Sequence, residues 1–186
     1  MHILQKDLNA LHHWASVWLM AFNPSKCEFL QITNKIFPLC THYHIDNTTL
    51  KQVTSAKYLG IIIDNRLNCS EHTRTVVAKA NSALGFLRRN LSKCLQEVKC
   101  LCYNSLVRPI LEYACTIWFP YHQHNVNSIE MVQRHAVRFV LSNFDRHASV
   151  TQMMNSLGWV TMRQRCLKLR MIMLFKIINK LVGFLQ

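Results

Sequence analysis

Acidic residues are scarce in this chain. Its 186 residues include nine Asp and Glu against twenty-two Lys and Arg, a net charge of +13 with His neutral. The acids are Asp7, Glu28, Asp46, Asp64, Glu71, Glu97, Glu112, Glu130 and Asp145, and no two are adjacent or separated by a single residue. A polymerase or nuclease of the two-metal kind needs two or more carboxylates on one site to hold Mg²⁺, and the sequence offers no such box. Glycine and proline are also rare, at four each, which excludes a collagen-like, low-complexity or linker-rich chain. There is no glycine-rich phosphate loop and no serine nucleophile elbow. The longest apolar runs fall far short of the roughly 18 residues that a membrane span needs, and no membrane partner is expected. The opening Met1-His2-Ile3-Leu4-Gln5-Lys6-Asp7 lacks a basic stretch followed by an apolar one. That predicts an intracellular chain, nuclear or cytoplasmic, with its eight cysteines reduced and used as small hydrophobes.

What is present is a globular composition, 50% hydrophobic, with a positive surplus that points to an acidic partner, nucleic acid before an anionic membrane. The surplus is uneven. Residues 1–65 hold five bases and four acids, 66–108 eight and two, 109–133 none and two, and 134–186 nine and one. Zinc ligands are conceivable at Cys27, Cys40, His42 and His44, or at Cys94, Cys100 and Cys102. Neither set has the Cys-x2-Cys spacing that marks a zinc site, and no metal site is predicted.

The pattern predicts an α+β chain, a small antiparallel β part at 1–64 followed by an all-helical part at 65–186. Leu4, Leu8, Leu11, Ala15, Trp18 and Leu19 recur at three and four and predict a helix over 4–20, stopped by Asn23-Pro24. Residues 27–33 read as a strand, and 43–46 with 50–53 as a hairpin. Residues 58–64 read as one strand, mostly buried on both faces. A helix comes next, capped by Ser70 or Asn68 and reaching Leu91, with Val76, Ala80, Leu84 and Leu87 inward. The next spans 96–107 and ends at Pro109, which opens another at 110–118. Helices at 126–141, 149–157 and 161–182 complete the chain. In the first of these three, Glu130, Arg134 and Arg138 share an outer face. In the last, Leu167, Met171, Leu174, Phe175, Ile178, Leu181 and Val182 fall on an arc of roughly 120° predicted to face inward, with Arg165, Lys168, Lys176 and Lys180 opposite. That basic face is either a nucleic-acid face or a solvated surface. Arg88-Arg89 and Lys57-Tyr58 carry the same two readings.

Several phrases together resemble one family. Asp7-Leu8-Asn9 with Trp14 and Trp18, then Met20-Ala21-Phe22-Asn23-Pro24-Ser25-Lys26-Cys27, resembles the segment after the catalytic box in reverse transcriptases of LINE-type non-LTR retrotransposons. Ser55-Ala56-Lys57-Tyr58-Leu59-Gly60-Ile61-Ile62-Ile63 is similar to their primer-grip hairpin. Leu106-Val107-Arg108-Pro109-Ile110-Leu111-Glu112-Tyr113-Ala114, Val132-Gln133-Arg134 and Leu157-Gly158-Trp159 are similar to the region beyond. The resemblance implies that residues 1–64 are a C-terminal palm remnant and 65–186 the helical thumb with the region next to it in the chain. It implies an RNA/DNA template–primer as partner, bound without sequence preference, with the missing N-terminal reverse transcriptase part as a second partner. The family's catalytic carboxylates and their Mg²⁺ belong N-terminal to these residues, so the implied fragment has no cofactor and no polymerase activity. Lys26 matches a lysine held to protonate pyrophosphate, vestigial without a metal site. Tyr58, Leu59 and Gly60 match the primer grip, beside Lys57. His135, where the family often has Arg, and Gln164-Arg165-Cys166, in place of a more basic pair, lower the positive charge. Two other readings stay open: one half of a split enzyme, or a structural remnant with no specific ligand.

Overall fold

A computed structural model describes residues 2–37 and 41–183, and the chain divides into two compact units at Asn68 and Cys69. The α+β class stands. In the first unit, helix α1 (His2–Val17) precedes three short strand pairs. Strands β2 (His44–Ile45) and β3 (Thr48–Thr49) pair antiparallel, as do β5 (Ser55–Tyr58) and β6 (Ile61–Asp64). Strand β1 (Glu28–Leu30) differs, pairing parallel with β4 (Lys51–Val53). The Gln5 amide docks α1 on β2 by donating to His44 O at 2.9 Å and accepting from His44 N at 3.0 Å.

Two expectations for this unit are corrected. Residues 58–64 are a hairpin rather than a single strand. Leu59 and Gly60 both take positive φ, 46° and 84°, the mirror-image turn that matches strand twist. Tyr58 and Leu59 are therefore exposed instead of buried. Helix α1 also ends earlier than Asn23-Pro24. Leu19 turns left-handed at φ 55°, Leu19 N donates to Ser16 O and Met20 N to Ala15 O, closing a Schellman cap. Its apolar residues form no buried row. Leu4, Leu11, Trp14, Trp18 and Leu19 are exposed, and the buried hydrophobics among the described residues of this unit are Ala15, Ile45 and Ile61.

The second unit is helical. Helix α2 (Ser70–Asn90) buries Val76, Ala80, Leu84 and Leu87 as expected and packs on α6 (Gln123–Val140), whose buried residues include Ile129, Val132, Ala136 and Val140, while Val137 packs with Met153 and Met154. Pro109 does not end a helix. Helix α3 (Gln96–Cys102) runs through a π turn (Tyr103–Val107) into α4 (Arg108–Glu112). Arg108 N reaches back five residues to Tyr103 O, so the widened turn passes into the proline, whose missing N–H and ring an ordinary α turn would not tolerate. The break comes later, at Ala114 with φ 49°, before α5 (Cys115–Trp118). Trp118 is 1% exposed. Its Nε1 donates to Tyr113 O at 2.6 Å, and the His72 ring stands edge-on to it at 4.6 Å.

Helix α7 (Val150–Ser156) has Ser149 as its N-cap, and α8 (Met162–Ile178) opens on a capping box between Thr161 and Gln164. Helix α8 lies on the unit by a different face from the one predicted. Met162 and Cys166 are buried, while Leu167, Met171, Leu174, Phe175, Ile178 and Leu181 are exposed. On the packed side of its first turns Arg165 is anchored on the Glu112 carboxylate and Arg170 Nη2 on Phe119 O at 2.8 Å, and from Met171 to Ile178 the helix is exposed on every face. The helix stops at Ile178 rather than Val182, with Lys180 left-handed at φ 54° and Leu181 N donating to Lys176 O.

Replacing Trp118 by Ala is expected to cost about 3–5 kcal/mol through the cavity and the lost bond. Phe175→Ala, on the outward arc, is expected to stay within about 0.5 kcal/mol; urea unfolding followed by circular dichroism checks both. His72 gives a pH dependence. Burial, and then the charge of Lys79, push its pKa below 6.5, so the folded chain holds it neutral and unfolding lets it take up a proton. Its contribution is fully present above about pH 6.5 and is lost as the pH falls below that value. Urea midpoints measured from about pH 7 to about pH 5 are expected to fall less steeply for His72→Phe than for the unaltered chain.

Candidate nucleic-acid interface

Charge separates the two units. The second carries sixteen Lys and Arg against five acids, a net +11, and the first only +2. Of the basic residues singled out in the second unit, Arg88 and Arg89 are exposed at the end of α2, Arg134 on α6, and Lys168, Lys176 and Lys180 on and just past α8. The Arg88 guanidinium lies 5.6 Å from the Phe144 ring centroid, an arrangement that holds a cation without neutralising it.

Two of the set have internal partners. Arg138 is half-buried and donates to the backbone carbonyls of Asp145 and Ala148. Arg165 is half-buried against the Glu112 carboxylate, which also receives Arg108 at 3.9 Å. The Glu112 hydrogen bond holds the Arg165 guanidinium above its ordinary pKa, against the opposing effect of burial. These two arginines fix the fold around them. Glu130, on the same helix as both Arg134 and Arg138, accepts from Arg163 N at 2.8 Å and so steadies the start of α8.

A groove of about 540 Å³ lies among α6, α7 and the beginning of α8. Its walls include Arg134, Arg163, Glu130, Asn127, Asn155 and Trp159. Arg163 is exposed, and sequence reasoning passed over it. The signal was available, since residues 146–186 contain seven Lys and Arg and no acid. Behind Trp159, Tyr103 stacks on its indole at 4.5 Å and an interplanar angle of 22°.

In the first unit Lys57, Tyr58, Leu59 and Gly60 form the tip of the β5–β6 hairpin, with Lys57 opposite Ile62 and Tyr58 opposite Ile61. Tyr58 is 66% exposed. A cation and an aromatic ring at one solvent-facing tip can meet a phosphate and a base or sugar. Gly60, at φ 84°, is where the turn needs glycine. Lys26 is exposed in a single 3₁₀ turn (Pro24–Lys26) whose cap is the Asn23 side chain, accepting from Ser25 N at 3.1 Å.

Among the described residues no three His, Cys, Asp or Glu side chains converge. Cys40 lies outside the described residues. The buried Cys115 and Cys166 thiols face one another, and the hydrogen bond to Cys115, then burial, push Cys166 far above the usual thiol range. A protonated thiol of this kind is a poor nucleophile and metal ligand. No helix among the described residues is long and apolar enough to cross a membrane.

No protein-family model matches the chain, and no solved structure matches it. Sequence relatives do. Over 141 residues it is 29% identical to the probable RNA-directed DNA polymerase from transposon BS of Drosophila melanogaster, covering 74% of this chain and 16% of that protein. It is 30% identical over 142 residues to the RNA-directed DNA polymerase from mobile element jockey of Drosophila funebris, with 73% and 15% covered. It is 26% identical over 130 residues to the probable enzyme from the Drosophila melanogaster X-element, with 68% and 14% covered. The chain spans about a sixth of the length of these relatives. Across roughly seven-tenths of its own residues, it is homologous to the RNA-directed DNA polymerases of LINE-like non-LTR retrotransposons.

Proposed function

We propose that this chain binds a template–primer duplex through the backbone phosphates, without reading sequence, and does not itself polymerise. The observation that carries the reading is the run of exposed cations on the second unit, Arg88, Arg89, Arg134, Lys168, Lys176 and Lys180, in a homologue of enzymes named as RNA-directed DNA polymerases. Phosphate contacts position a protein on a duplex and carry no sequence information, and an A-like RNA–DNA hybrid is recognised by its shape and charge. The exposed Lys57-Tyr58 tip supports a primer-gripping role for Tyr58, Leu59 and Gly60. Lys26, exposed in its own 3₁₀ turn, is given a vestigial role in this reading. The reading places the chain in the nucleus or cytoplasm. The exposed apolar row of α1, Leu4, Leu11, Trp14 and Trp18, favours a second element of the reading: the upstream part of a reverse transcriptase as a protein partner.

Fluorescence anisotropy with an RNA–DNA hybrid tests the proposal. Six neutralised phosphates give a slope of about −5 for log K against log salt. Replacing Lys168, Lys176 and Lys180 together by Gln is expected to make the slope shallower by about 3 units, with hybrids of different sequence affected alike. Chelating Mg²⁺ is expected to leave binding unchanged, and primer extension with Mg²⁺ and deoxynucleotides to yield no product. A salt-independent signal, or an extended primer, would refute the reading.

A further inference from the structure

The groove among α6, α7 and the start of α8 is built differently from the exposed cations around it. At about 540 Å³ it falls within the size range of small-ligand clefts. A duplex is too broad to enter such a cleft, and its bases are occluded by pairing. Arg134 and Arg163 both stand in the walls. Glu130 is the acid among the lining residues, and its Oε1 is occupied by the backbone N–H of Arg163. The lining also includes the amides of Asn127 and Asn155, beside apolar wall at Val126 and Met154, and amides both donate and accept as base edges do. Trp159 lines the groove while its indole is stacked on the buried Tyr103. That stacking fixes the ring in advance, so a base meeting it loses little further freedom in ordering the site.

We infer that this groove holds one or two unpaired nucleotides of a single strand, with phosphates on Arg134 and Arg163 and a base against Trp159. The inference rests on the nucleic-acid reading above and deepens it. Cations alone attract any polyanion. Fixed aromatic surface with amides beside it is what recognition of splayed bases requires. An acidic peptide would use the arginines and leave the ring and amides without a purpose.

The test measures the full chain against three probes by anisotropy: oligouridine RNA, oligothymidine DNA, and a fully paired RNA–DNA hybrid. For the double variant Asn155→Ala and Arg163→Gln, which leaves the cations assigned to the duplex in place, single-strand affinity is expected to fall about tenfold or more, a ΔΔG of about 1.4 kcal/mol. Hybrid affinity is expected to fall no more than about threefold, since most of its phosphate contacts remain. RNA and DNA arms separate a groove that uses the 2′-hydroxyl from one that uses only base and phosphate; either outcome supports single-strand binding. Equal losses on strand and hybrid would overturn the inference, as would no loss on either, or displacement of the strand by an equally tight acidic peptide. Photocrosslinking of 5-iodouracil-substituted RNA to the unaltered chain gives an independent check, with Trp159 the expected adduct and its absence contrary. Should the unaltered chain bind neither strand nor hybrid, the broader nucleic-acid reading fails first, and that result is distinct from these.

Discussion

Glu112 ties α8 to the rest of its unit. Its carboxylate receives Arg165 from α8 and Arg108 from α4, and through Arg165 it fixes which side of α8 meets the core. The acids nearby have similar internal duties. Glu130 accepts from the first turn of α8, and Asp145 accepts from His147 N at 2.9 Å in the turn after α6. Three of the five acids of this unit are thus drawn into holding the fold. Lys99, Arg138 and Arg170 turn inward onto neutral acceptors, the exposed cations have no carboxylate surplus to balance them, and the positive potential of the second unit is the result.

That economy explains the largest departure from the helical pattern. On a wheel, the apolar arc of α8 is the obvious inner face, because hydrophobic burial outweighs most single polar contacts. Arg165 and Arg170 instead hold the first turns by the other side, and beyond them the helix is exposed all round. Their partners, Glu112 and Phe119 O, lie far away in sequence, and spacing within α8 cannot reveal them. Helix α2 was legible for the opposite reason: its buried row meets α6 directly, with no ion to compete. Thr161 and Ser149 were legible too, since capping is local chemistry. The Tyr58–Ile61 turn was not, because a Leu-Gly pair lacks the Asn or Asp that usually announces a mirror-image turn. Of the candidate interface, charge could be read along the chain. The meeting of Arg134, Arg163 and Trp159 around one groove could not, since three separate elements bring them together.

Both units leave apolar rows uncovered, Leu4 to Trp18 on α1 and Leu167 to Ile178 on α8. Rows of this kind on a folded surface mark places where other chain or ligand packs. They accompany a match to about a sixth of the relatives' length. The first unit has a thin interior of its own, whereas the second is well filled around Trp118, Tyr103 and Leu111. A unit with few buried side chains draws little stability from its own packing.

The π turn before Pro109 has a further geometric effect. Lys99, Tyr103, Val107 and Leu111 are all buried, and they recur at every fourth position. In a regular α-helix each four-residue step advances about 40° around the axis, so three steps would swing the last member about 120° from the first. The looser winding at Tyr103–Val107 takes back much of that drift and lines the four side chains up along one seam. A backbone irregularity thus sets the angular phase between α3 and α4, and winding the same residues as an unbroken α-helix would rotate Leu111 away from the interior, however well its sequence suited the core.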